Sequence, residues 1–310
     1  MPVFGKVYMK EKIDLSVVIV TYKSEGLIEG CIDSVYNTAG DLKIEVVLSD
    51  NSPDSKTEEA VKKIGPKYPR LKFIRNKKNE GFSRGNNIAI REISGEYVLF
   101  LNPDMKVDAG TLNGMVEFMK KTSDAGAATC AVRLVNGELD DSCHRGFPTP
   151  WRAFSHFTKL SKLFPKSKLF AGYNLTYLDF NKTHEIDALA GSFMIIPFGL
   201  GKKLNWWDED YFFYGEDIDF CYRIKEMGYK IYFVPKYTAL HYKGASSGIK
   251  KISKEYSSAN KATKKWATEQ RFKAMEIFYK KHYKDKYPGF VRALVLTGIQ
   301  VNKFIEELKL

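Results

Sequence analysis

Four short apolar, β-branched runs mark the first hundred positions: residues 15–20 (LSVVIV), 44–48 (IEVVL), 71–74 and Tyr97–Leu101 (YVLFL). Such a run keeps no side for water, so each predicts a strand buried on both faces. Residues 26–37, 55–64 and 83–93 lie between them and read as helices. Regular alternation of strand and helix predicts a parallel sheet with right-handed crossovers. Ligands of such sheets bind beyond the carboxyl ends of the strands. Thr21-Tyr22, Ser49-Asp50-Asn51 and Asn102-Pro103-Asp104 each follow a predicted strand, and the sequence predicts that they converge on one crevice.

Beyond residue 110 the pattern loosens. Residues 110–121 read as a helix and 127–134 as a strand. Residues 137–150 are rich in turn formers, and 151–177 are basic and aromatic without a clear period. A further strand is expected over 188–197, a helix over 217–227 capped by Gly228, and a strand over 230–234. From about 255 the chain is Lys-rich and helix-like, with aromatic residues interleaved.

Composition narrows the class. With 310 residues, 44% of them hydrophobic, the chain can bury a large core. The net charge of +12 suits phosphorylated substrates, anionic lipid or nucleic acid without choosing among them. Cys31, Cys130, Cys143 and Cys221 form no C-x-x-C pair. They are expected as buried thiols in a reducing, cytoplasmic setting. No apolar stretch is long enough for a signal peptide or a membrane span.

Two acidic clusters carry the chemistry. Asp104 ends a buried strand, a good position for an oxygen ligand to Mg²⁺ or Mn²⁺, although a helix-capping role is equally open to it. Glu216, Asp217 and Asp219 open a predicted helix, where the macrodipole alone would favour acids. The aromatic lead Trp206-Trp207 and Tyr211-Phe212-Phe213-Tyr214 suits a sugar face or an apolar stem, and suits a core as well. Asp50 could accept from a pyrimidine N–H or cap a turn. The Gly81–Gly85 turn has neither P-loop nor dinucleotide spacing, but Asn79, Arg84, Asn86 and Asn87 set donors around it.

At these residues the chain resembles family 2 glycosyltransferases. The segments VVIVTY, SDNSPDS, NEGFSRGNN, FLNPDMKV, AGSFMI, WWDEDYFFYGEDIDFCYR and HYKGASS occur in that family's order, over roughly residues 13–250. The likeness is to the rhamnosyltransferase-like and galactofuranosyltransferase-like branch. It implies a GT-A fold, a Rossmann-like mixed sheet flanked by helices, and a divalent cation, Mn²⁺ or Mg²⁺. Residues 1–254 would be the catalytic domain, with a nucleotide-binding half at 13–104 and an acceptor half at 105–254. Residues 255–310 would be a basic helical extension. By position, Thr21, Tyr22, Asp50, Asn79, Arg84, Asn102 and Asp104 would hold the donor, a dTDP- or UDP-sugar. Asp104 and His241 would hold the metal. Asp217, with Glu216 beside it, matches the general base. Trp207, Tyr214, Gly191 and Ser192 would face a glycan or lipid-linked glycan acceptor. The departure from the family pattern is Asn102, where the D-x-D motif has its first acid.

The chemistry implied is inverting transfer in cell-surface polysaccharide synthesis. One displacement needs a cation on the leaving diphosphate and a base on the acceptor hydroxyl. A non-catalytic sugar- or nucleotide-binding module would have no use for Asp104, Asp217 and His241 together. A nucleic-acid binder would use the basic tail alone, and no nucleic-acid partner is expected. A nucleotidylyltransferase would need a basic Gly-rich loop near the N-terminus, and none is present. The tail has two readings, a helical pair packed on the catalytic domain or a peripheral contact with an anionic surface at the inner face of the membrane.

Overall fold

The structure, a computed structural model, describes residues 12–242 and 261–309. The expected division at 254/255, most of the HYKGASS segment and Lys243 lie outside the described residues.

The first half follows the apolar pattern. β1 (Leu15–Thr21), β2 (Ile44–Asp50), β3 (Leu71–Arg75) and β4 (Tyr97–Leu101) pair in parallel in the order β3-β2-β1-β4. α1 (Ile28–Thr38), α2 (Lys56–Ile64) and α3 (Gly81–Ile90) make the crossovers. Every residue of β2 and β4 is buried, as runs without a polar side require.

The second half adds β5 (Met105–Val107), α4 (Thr111–Lys121), β6 (Ala125–Leu134), α5 (Pro150–Phe157), α6 (Leu160–Leu163) and β7 (His184–Ile186). β8 (Phe193–Pro197), α7 (Phe198–Lys203), α8 (Glu216–Glu226) and β9 (Lys230–His241) follow. The sheet order is β3-β2-β1-β4-β8-β6-β9-β5, with β7 paired to β9. β8 runs antiparallel to both β4 and β6, so β6 points the same way as β4, and β9 runs parallel to β6. Thr21, Asp50, Asp104 and His241 therefore all reach the same edge of the sheet.

Two sequence expectations change here. β8 begins at Phe193, not at 188, because the backbone of Ala188 bonds Arg145 and Ser192 takes the Asn102 amide. β9 does not stop at Val234. Pro235 breaks the ladder in a bulge, where Cys130 pairs with Val234 and Ala131 already pairs with Thr238. The strand then resumes, which makes His241 its last residue rather than part of a later loop.

α9 (Lys261–His282) and α10 (Gly289–Glu307) form the C-terminal pair. Ala274, Phe278, Tyr279 and Tyr283 build a second small core with Tyr211 and Tyr222. Gly215, at φ +81°, permits that approach, since a Cβ there would lie 2.9 Å from the Ala274 methyl. All four cysteines are buried, and none is in a disulfide. Among the described residues no helix is long and apolar enough to cross a membrane.

Candidate active site

Strand register brings the first pair together. Met105 of β5 pairs with His241 of β9, and the Tyr242 amide donates to the Asp104 carbonyl at 2.9 Å. Asp104 Oδ1 then lies 3.2 Å from His241 Nε2. On the other side His241 Nδ1 donates to Asp140 Oδ2 at 3.0 Å, and Asp140 is fully buried. Burial would lower the imidazole pKa, but Asp104 and Asp140 outweigh it and raise it to about 9. Asp140 fixes the ring so that Nε2 faces Asp104. A carboxylate oxygen and an oriented imidazole nitrogen are donors that fit Mn²⁺, with a carboxylate behind the imidazole as metal-binding histidines usually have. Among the described residues no group of three or more acidic, His or Cys side chains is assembled for a metal. Among the described residues Asp104 and His241 are the pair that could hold such an ion.

The second pair sits at the start of α8. Arg145 Nη2 donates to Asp217 Oδ2 at 2.7 Å and to the Leu189 carbonyl at 3.1 Å. Both side chains are only 14% exposed. Glu216 is buried beside them, and among the described residues its Oε2 has no hydrogen-bond partner. Burial first, then the Asp217 charge, push its carboxyl well above the usual range. Asp219 is the reverse case. Burial would raise it, but His282, Arg223 and Lys281 outweigh burial and hold it at about 2.

Asp50 ends β2 at the same edge of the sheet. It is fully buried; Oδ1 accepts from Thr21 Oγ1 and Ser52 Oγ, each at 2.7 Å. Among the described residues its Oδ2 has no partner. A buried carboxylate oxygen without a donor is costly unless something supplies one. Tyr22 is exposed beside it.

Residues 16–180, more than half of the chain, match the family described as Glycosyl transferase family 2. The chain belongs to glycosyltransferase family 2. It is 28% identical over 236 residues to rhamnosyltransferase WbbL of Escherichia coli (strain K12), covering 73% of this chain and 82% of that one. It is 26% identical over 246 residues to an N-acetylglucosaminyl-diphospho-decaprenol L-rhamnosyltransferase of Mycobacterium tuberculosis, covering 76% and 78%. Among solved structures it resembles GalNAc-T7 with UDP, GalNAc and Mn²⁺, with TM-score 0.58 and 20% identity, over 74% of this chain and 43% of that one. It also resembles the mannosyltransferase PcManGT from Pyrobaculum calidifontis in complex with GDP-Man and Mn²⁺, with TM-score 0.53 and 18% identity, over 96% and 84%. The glycosyltransferase has the GT-A fold and falls in the rhamnosyltransferase-like branch.

Within this enzyme the remaining expected residues divide. The Asn102 amide donates to the Ser192 carbonyl at 3.0 Å, which ties the end of β4 to the loop before β8. Ser192 is buried, with an Oγ that has no partner among the described residues, and Gly191 lies where a Cβ would crowd Phe82 and Trp207. Tyr214, half-buried at φ +71°, stacks near Phe213 just ahead of α8. Trp207 needs correction as an acceptor wall. It is 2% exposed, and Phe82, Phe100 and Phe220 pack round its ring, so its apolar faces belong to the core. Asn79 accepts from the Gly81 amide, and Arg84 pairs with Glu80 and Glu209. Gly81 itself is needed at φ +79°, where a Cβ would come within 2.5 Å of the Phe212 carbonyl. A cleft of about 770 Å³ lined by Asn87, Phe198, Trp206 and Arg223 opens at the opposite edge of the sheet, where β8 ends, away from His241.

Asp140 and Arg145 were not expected from the sequence. One short segment carries both, one behind the His241 ring and the other behind Asp217. The signal available was an acid and an arginine inside a turn-rich stretch, with nothing local to say what either would meet.

Proposed function

We propose that this enzyme transfers a sugar, with inversion, from a dTDP- or UDP-sugar to a hydroxyl of a glycan or lipid-linked glycan in cell-surface polysaccharide synthesis. The observation that carries the reading is the pairing of Asp104–His241 with Arg145–Asp217, both fixed by the 140–145 segment. Asp217 would take the acceptor proton, and Arg145 would hold its carboxylate in place. Burial and the Asp217 charge raise the Glu216 pKa, which favours its protonated form and leaves Asp217 as the proposed base. Asp104 and His241 would hold a divalent cation, which offsets the charge that grows on the leaving diphosphate. The buried Asp50 Oδ2 would accept from the pyrimidine N–H, steadied by Thr21, with Tyr22, Asn79, Arg84 and Asn102 along the donor edge. Gly191, Ser192 and Tyr214 would line the acceptor side. The names of the rhamnosyltransferase relatives support a rhamnosyl donor and a lipid-linked acceptor.

A lipid-linked acceptor also fits a peripheral enzyme. α10 leaves Phe290, Leu294, Val301, Phe304 and Leu308 exposed, and the tail would rest on an anionic membrane surface. α9 and α10 would then be a packed helical pair that faces the lipid.

The test is thermal stabilisation by a panel of sugar nucleotides with and without Mn²⁺. A donor at a hundred times its Kd should add about 2.7 kcal/mol. Stabilisation by a dTDP- or UDP-sugar that needs Mn²⁺ and is lost in Asp104→Ala supports the reading. No response to any pyrimidine sugar nucleotide overturns it.

A further inference from the structure

From Ser142 to Leu178 the chain holds Arg145, Arg152, Lys159, Lys162, Lys166 and Lys168 and no acidic residue. In that stretch the structure places α5, α6 and the turns after them. α5 turns Ser155 inward and ties Arg152 to Asp187 at 2.6 Å. Its other side is apolar and bare. Phe154 is 53% exposed, Leu163 69% and Leu169 59%, with Trp151, Phe157 and Phe164 also exposed around them. Lys159, Lys162, Lys166 and Lys168 are exposed among these residues. Burying large apolar side chains is what folding normally does with them, and six left bare in one short stretch leave apolar surface without a partner.

We propose that residues 150–170 form a membrane-docking surface that enters the headgroup region of an anionic bilayer. The lysines decide the occupant. An apolar protein partner would not require unbroken positive charge, whereas anionic headgroups complement four lysines interleaved with aromatic and leucine side chains. The position fits as well. Arg145, only five residues before α5, holds Asp217, and Arg152 holds Asp187 beside it. Phe147, between them, packs on the Tyr222–Phe278–Tyr283 cluster that Val295 and Leu296 of α10 also cover. The docking surface is thus one short connection from the proposed base, and Phe147 just ahead of it packs on the cluster that α10 covers. Its purpose rests on the lipid-linked acceptor proposed above, but its binding to lipid does not.

Two variants test it in the full chain by co-sedimentation with vesicles of phosphatidylcholine alone and of phosphatidylcholine with phosphatidylglycerol. Each lysine near an anionic surface strengthens binding about fivefold, so Lys159→Gln with Lys162→Gln and Lys166→Gln should weaken it about a hundredfold. Phe154→Ser with Leu163→Ser and Leu169→Ser should also lower binding to anionic vesicles. Both should keep the melting temperature and the donor-induced stabilisation of the parent. A control with Phe290→Ser and Phe304→Ser separates the two surfaces. Parent-like binding by both 150–170 variants, with loss only in the α10 control, overturns this proposal and leaves the tail reading intact. No binding of the parent to anionic vesicles overturns both. A parent that is dimeric in gel filtration, becomes monomeric with Leu163→Ser and Leu169→Ser, and binds lipid as before would make the surface a self-association face and also overturn the proposal.

Discussion

The two sides of the crevice are built differently. On the side proposed for the donor, Thr21, Asp50 and Asp104 sit at or just beyond the ends of neighbouring parallel strands, and backbone ladders set the spacing of those strands. On the side proposed for the acceptor, Asp217 is held by Arg145, 72 positions earlier, and Asp219 by His282, 63 positions later. Strand ends are positioned by a core that many residues share. A carboxylate held by one distant arginine depends on that arginine. The donor side should therefore tolerate single changes nearby, and the acceptor side should not.

The sharpest attack on that contrast is at the base. Asp217→Asn keeps the size of the side chain and removes the proton acceptor. Turnover should fall about a hundredfold to ten-thousandfold while donor-induced stabilisation stays near that of the parent. Glu216→Gln is the control, and near-normal transfer by a folded Asp217→Asn protein would reassign the base.

Removing the support rather than the base comes next. Arg145→Met leaves the Asp217 carboxylate without its partner in a nearly closed site, so unfolding in urea should show a loss of about 3 kcal/mol or more. A variant with parental stability and turnover would show that the acceptor side does not depend on the long-range pair.

On the donor side the matching change is Asp140→Asn, which removes the charge behind His241 and leaves one acceptor oxygen where two served His241 Nδ1 and the Ser142 amide. Mn²⁺ affinity, followed by calorimetry in the presence of the donor, should fall about tenfold to a hundredfold. An unchanged Mn²⁺ affinity would separate Asp140 from the metal pair.

The smallest effect expected is the pH dependence of the α8–α9 latch. Asp219 is held at about 2, below the ordinary value of 3.8. A carboxyl whose folded pKa is lowered contributes stability that is complete above pH 3.8 and is lost as pH falls toward 2. That contribution is about 2 kcal/mol. Asp219→Asn should thus be less stable than the parent at pH 6, and the gap should close near pH 2. A gap that does not change with pH would mean that the latch is not ionic.

The sequence by itself determined the donor half. Uninterrupted apolar runs have one comfortable place, inside a parallel sheet, and the polar residues that end them must emerge at one edge. The same reasoning reached Asp104 and Asp217, because an acid that closes a buried run or opens a helix is visible locally. Only the tertiary structure decided the rest. Pro235 hid the second part of β9, and with it the register that sets His241 against Asp104. Trp207 looked like part of a sugar-binding wall until Phe82, Phe100 and Phe220 closed round it. Asp140 and Arg145 carried no local signal, since what each does is fixed by a partner 101 or 72 positions away. Patterns repeated every two to four residues report which face is buried. They carry no information about which distant charge will be waiting there.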